Sequence, residues 1–146
     1  MADTDPAMKT SADFYLEKLR GMVKAEPDSR LFLTLAEELK KRDELKEAMA
    51  VLVAGIGRNP NFAAARLTLG RWYLRDGMFP EARNEFARVL ELTPGDKFAL
   101  RYIKEAEHKI GDVKGVKVIE KLNRFLAGVN KAFADAPTKQ APGGGL

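Results

Sequence analysis

Three prolines, Pro27, Pro60 and Pro94, stand 33 and 34 residues apart, and this spacing limits the fold more tightly than any other feature of the chain. Proline has no N–H for the preceding helical turn and its ring clashes with that turn, so each proline ends a helix. A period of this length is that of a helix-turn-helix unit repeated along the chain. The segments between the prolines therefore read as pairs of antiparallel helices.

The residues inside each period support that reading. Residues 63–96 contain Leu69-Gly70, Tyr73, Gly77, Ala82, Phe86 and Pro94. Gly70 and Ala82 are small where two helices cross closely, Leu69, Tyr73 and Phe86 fill the space between them, and Gly77 permits the turn. Residues 29–62 repeat the pattern with Phe32, Leu35, Ala36, Leu39, Leu45, Ala48, Leu52, Gly55 and Pro60, and Asp43 stands where the turn glycine would be. A third copy begins at Lys97. It keeps Leu100, Ile103 and a turn at Gly111-Asp112, but has Lys104 and Glu107 at the small and tyrosine positions. Degeneration at an end is expected, because a terminal unit needs a polar outer face.

In residue type and spacing, residues 63–96 resemble the tetratricopeptide repeat family, with Phe32 of the first copy at that family's tryptophan position. The resemblance implies an all-α fold, a right-handed α-solenoid of antiparallel helix pairs. Phe14, Leu16, Leu19, Met22 and Val23 add a lone opening helix after the capping candidates Thr10 and Ser11. Helices are predicted near 10–24, 29–41, 44–57, 63–76, 79–92, 97–110 and 113–133. The expected organisation is a flexible N-terminus at 1–9 and a single repeat domain at 10–134. Within the domain come the opening helix 10–24, repeats 29–62 and 63–96, and a degenerate repeat with capping helix at 97–133. Residues 135–146, with two prolines and Gly143-Gly144-Gly145, form a disordered tail.

Composition excludes several classes of function. Cysteine is absent, and the start is acidic without the basic and apolar regions of a secretory signal. No run approaches the ~20 apolar residues of a membrane span. A cytoplasmic protein is expected. The lone His108 has no second histidine or cysteine to share a metal and no nucleophile motif around it, and the glycine triplet precedes no helix that would cradle phosphate. The chain thus reads as a non-enzyme without cofactor or metal. Trp72, beside Tyr73, reads as core.

What the resemblance implies is a concave groove, lined by the first helix of each pair, that holds a peptide or helix of a partner protein. Carrying over the family's groove positions selects Leu33, Glu37, Lys40 and Lys41 from the first copy. Leu67, Arg71 and Arg75 come from the second, and Phe98, Arg101, Glu105, His108 and Lys109 from the third. This mixed surface suits an acidic or amphipathic segment, with Leu33, Leu67 and Phe98 burying its side chains and Arg71 and Arg101 receiving its carboxylates. Family members that clamp a heat-shock C-terminal carboxylate use Lys and Asn where this chain has Leu33, Glu37 and Arg71, so that specialisation is not expected. In overall pattern the chain resembles compact bacterial members that end in a helix like Leu122-Asn123-Arg124-Phe125-Leu126.

Two other functions attach to the last helix. Residues 1–96 hold 15 Lys and Arg against 16 Asp and Glu, whereas residues 97–146 hold 10 against 5, so the excess positive charge lies in the C-terminal third. Lys114, Lys117, Lys121 and Arg124 form one stripe there, and Phe125, Leu126, Val129 and Phe133 form another. The basic stripe offers nucleic-acid or membrane binding, but the expectation is a capping helix whose basic face is merely solvated, as the end of a solenoid requires, with neither nucleic acid nor membrane as partner. The apolar stripe offers self-association as a scaffold or cover for the last repeat.

Overall fold

The computed structural model describes residues 8–135, with side chains through Ala132. The expected flexible start up to Ala7 and the tail from Ala136 lie outside the described residues. Six helices occupy the described span: α1 (Ser11–Ala25), α2 (Leu31–Lys41), α3 (Leu45–Arg58), α4 (Ala63–Arg75), α5 (Phe79–Leu92) and α6 (Lys97–Asp135). No strand occurs among the described residues. The architecture is an all-α helical repeat solenoid. α2 pairs with α3 and α4 with α5, while α1 packs on α2 and α3 on α4.

The proline period is a conformational period as well. α1, α3 and α5 end at Ala25, Arg58 and Leu92, each two residues before its proline. The capping residues Glu26, Asn59 and Thr93 share one geometry, with φ/ψ of −127/78, −126/66 and −137/82, outside the helical region that a following proline disfavours. Each cap still donates its N–H to the carbonyl four residues back, on Met22, Gly55 and Val89.

The turns inside the two pairs repeat in the same way. Glu44 N–H donates to Leu39 O at 3.0 Å and Met78 N–H to Tyr73 O at 2.9 Å, while Asp43 N–H donates to Lys40 O and Gly77 N–H to Leu74 O. This is a Schellman closure, which needs a left-handed residue after the cap. Gly77 supplies it at φ 77, and Asp43 is held there at φ 64. Asp43→Gly is therefore expected to raise stability by about 0.5–1 kcal/mol, read as a higher denaturant midpoint at unchanged slope.

α1 opens on Thr10. Its hydroxyl accepts the Asp13 N–H at 3.2 Å and its own N–H donates to Asp13 Oδ2 at 2.7 Å, a reciprocal cap. Arg42 reaches Asp13 Oδ1 at 2.5 Å. The Arg42 guanidinium first, and then the Thr10 bonds, hold the Asp13 carboxyl well below its ordinary 3.8. A depressed carboxylate contributes stability above its unfolded value and loses it as pH falls, because the unfolded chain then binds more protons. Asp13→Asn is accordingly expected to flatten the acid limb: between about pH 6 and about pH 3 the wild type loses more stability than the variant in urea melts.

Two close crossings set the pairing of helices. A Cβ on Gly55 would stand 2.1 Å from the Phe32 ring, joining α3 to α2, and one on Gly70 would stand 2.5 Å from Phe86 Cε1, joining α4 to α5. Phe32, Leu39, Ala48 and Leu52 form the first core together with Leu16, Leu19 and Trp72, and Ala82, Phe86 and Ala106 form the second. The half-buried Arg66–Glu85 pair, 3.0 Å apart, ties α4 to α5.

The end of the chain departs from expectation. Sequence predicts helices at 97–110 and 113–133 with a turn at Gly111-Asp112, but α6 is one helix of 39 residues. Glycine inside a helix costs only ~1 kcal/mol against alanine, and it ends a helix when the chain turns left-handed there. Among the described residues only Gly77 and Gly95 are positive-φ glycines, so Gly111 keeps the helix, bridged by His108 Nδ1 and Asp112 Oδ2 at 2.9 Å. α6 starts instead at a well-formed cap, where Asp96 Oδ1 accepts the Ala99 N–H at 2.8 Å. The chain divides into two compact units, one through Glu107 and one from His108. The sequence reading has a single domain across that point.

Candidate functional site

Three helices of the first unit converge on a cavity of about 650 Å³. α2 contributes Glu37, Lys40 and Lys41, α4 contributes Thr68, Arg71, Trp72, Leu74 and Arg75, and the start of α6 contributes Tyr102 and Glu105. Each set follows from helical spacing, in which residues three and four apart share a face: 37, 40 and 41 on α2, 68, 71, 72 and 75 on α4, and 102 and 105 on α6.

The wall is basic around an aromatic centre. Four basic residues face two acidic ones. Trp72 is only 9% exposed, part of the first core, yet its ring lies under Lys40 Nζ at 4.4 Å. Tyr102 stacks on Phe86 at 5.4 Å and carries the Arg71 guanidinium at 5.7 Å and that of Arg101 at 4.8 Å. Lys41 is held by Glu38 at 2.6 Å. Among the described residues no carboxylate forms an ion pair with Lys40, Arg71 or Arg75. Loss of water lowers the Lys40 pKa most, and the charges of Arg75 and Arg71 lower it further. The Asp76 carboxylate acts in the opposite direction on Lys40, and the wall as a whole keeps an excess of positive charge, four basic residues against Glu37 and Glu105.

Of the groove residues selected from sequence, Glu37, Lys40, Arg71, Arg75 and Glu105 meet at this cavity, with Lys41. The others do not line it. Leu33 is half-buried against the first core and Leu67 against the second, so packing between helices has absorbed the two leucines expected to face a partner. Phe98 is exposed, with the Arg101 guanidinium 5.8 Å from its ring, and Arg101 donates to Tyr102 Oη at 3.1 Å beside the cavity. His108, with Lys109, belongs to the second unit and is exposed.

Thr68, Trp72, Leu74 and Tyr102 also line the cavity and were not selected from sequence. The signal was available, since Thr68 and Trp72 lie on the same stripe of α4 as Arg71 and Arg75. Among the described residues no group of three or more His, Cys, Asp or Glu gathers as a metal site.

Residues 39–106, from the end of α2 into α6, match the family model of the tetratricopeptide repeat. Over that stretch the chain is similar to the tetratricopeptide repeat, and its helix pairs have the architecture of a helical repeat. Among solved structures it is similar to one described as the crystal structure of MamA protein. The TM-score there is 0.62 at 24% identity, covering 75% of this chain and 61% of that one. A second MamA crystal structure gives 0.53 at 20% identity and covers 71% of each chain. The chain thus spans less than two thirds of the first of these structures. No curated protein matches it.

Proposed function

We propose that this chain is an adaptor whose cavity between α2, α4 and the start of α6 holds an acidic segment of a partner protein. The observation that carries the reading is the cluster of Lys40, Arg71 and Arg75 around Trp72, with no carboxylate of the described residues paired to them. Lys40 has lost part of its hydration and sits beside two like charges. A carboxylate arriving there would replace the lost water and relieve the repulsion, with charge-assisted bonds roughly twice as strong as neutral ones. Trp72, Leu74 and Tyr102 supply apolar contact for the segment's neighbouring side chains. Binding of this kind needs no chemistry from the wall.

Trp72 is the chain's single tryptophan, so its emission reports on the cavity without a label. Titration with peptides that alternate glutamate and leucine is expected to shift that emission saturably, and their glutamine counterparts are expected to leave it unchanged. Equal responses to both series would remove the charge argument.

A further inference from the structure

The distal part of α6 carries an arrangement that the cavity does not use. From Val113 to Ala132 every residue except Val129 is exposed. At 3.6 residues per turn, Val118, Ile119, Leu122, Phe125, Leu126 and Val129 fall within about a third of the helix circumference. Ile119, Leu122 and Phe125 are 58, 52 and 66% exposed, an apolar face open to solvent. Lys114, Lys117, Lys121 and Arg124 take the adjoining arc, with Lys114 and Lys121 nearest to Phe125. Between Val113 and Ala132 the chain has five basic residues and one acidic, Glu120.

We propose that residues 113–132 of α6 form an interfacial helix that docks on an anionic lipid surface, its apolar arc in the acyl boundary and its basic arc toward the headgroups. Charge complementarity selects this occupant. A second copy of the helix would bring five basic residues against five, with only one acid on each to pair with them. Nucleic acid would satisfy the basic arc and leave the apolar one in water. A lipid interface uses both, because the ammonium groups of a helix about 10 Å across stay within a Debye length of the headgroups at ~0.1 M salt. No helix of the described residues is long and apolar enough to cross a membrane, so the geometry is one of lying on the surface.

The test uses the whole chain and sedimentation with vesicles of phosphatidylcholine alone or mixed with phosphatidylserine. Binding to the mixed vesicles only is expected, weakening as salt rises from about 50 to about 200 mM. The double variant Lys117→Glu/Lys121→Glu should lose at least ~30-fold in affinity, and Leu122→Ser/Phe125→Ser at least ~10-fold. Arg71→Glu/Arg75→Glu should bind vesicles as the wild type does, which separates this surface from the cavity. The substituted residues of α6 are exposed, so helicity by circular dichroism should be retained. Absence of binding to the mixed vesicles overturns the proposal, as does binding that survives the Leu122/Phe125 change. So does DNA binding that ignores that change while vesicle binding is absent, or a dimer in light scattering that the same change dissociates without any vesicle affinity.

Discussion

Phe86→Ala is expected to destabilise the fold by about 3–5 kcal/mol, the largest single-residue effect we anticipate. The ring is fully buried, stacks on Tyr102 and fills the crossing at which α4 comes closest to α5. Removing it leaves a void that Gly70, having no side chain, cannot fill. Gly70→Ala alone should also destabilise, by about 1–3 kcal/mol, because its new Cβ would stand 2.5 Å from a ring with no free space to move into. In the Phe86→Ala background the same Gly70→Ala change should become neutral or stabilising, since the space is vacated and alanine favours the helix by ~1 kcal/mol. Urea unfolding of the two single variants and the double variant measures that coupling. Additive effects would show that Gly70 and Phe86 do not form the crossing.

The same pair explains why so much of the fold was legible. A proline end, a glycine against a phenylalanine and a left-handed turn residue recur at one period, so each local preference points to the same hairpin. Asp43 was legible as a turn position because it stands 34 residues before Gly77, and the structure gives both the same closure. Gly111 misled because a glycine marks a turn only when the chain leaves the helix there. Here the chain keeps helical backbone through Gly111, and α6 continues to Asp135.

The candidate site was legible by half for a related reason. Charged positions on the inner helices can be assigned from spacing, since burial does not compete for them, and Glu37, Lys40, Arg71, Arg75 and Glu105 do meet. Apolar positions one turn earlier are ambiguous, because a leucine there serves a partner or the neighbouring helix equally well. Leu33 and Leu67 went to the helices. Trp72 was read as core and is core, but one face of a large ring also reaches the cavity, a double role that periodicity does not separate.

The central claim is that the cationic cavity, and not the basic stripe of α6, holds the protein partner. Arg71→Glu/Arg75→Glu replaces two cations by two anions on one face of α4 at exposed positions, so the fold should be retained while the field at Trp72 reverses. Loss of the charge-assisted bonds and the new repulsion together should weaken an acidic partner by about 2–5 kcal/mol, a factor of roughly 30 to several thousand. The deciding measurement is calorimetric titration of a glutamate–leucine peptide, and of the partner segment recovered with the wild-type chain, into three proteins: wild type, Arg71→Glu/Arg75→Glu, and Lys117→Glu/Lys121→Glu. The account predicts that affinity collapses in the second protein and is unchanged in the third. Unchanged affinity in the Arg71/Arg75 variant, or a loss confined to the Lys117/Lys121 variant, would contradict it.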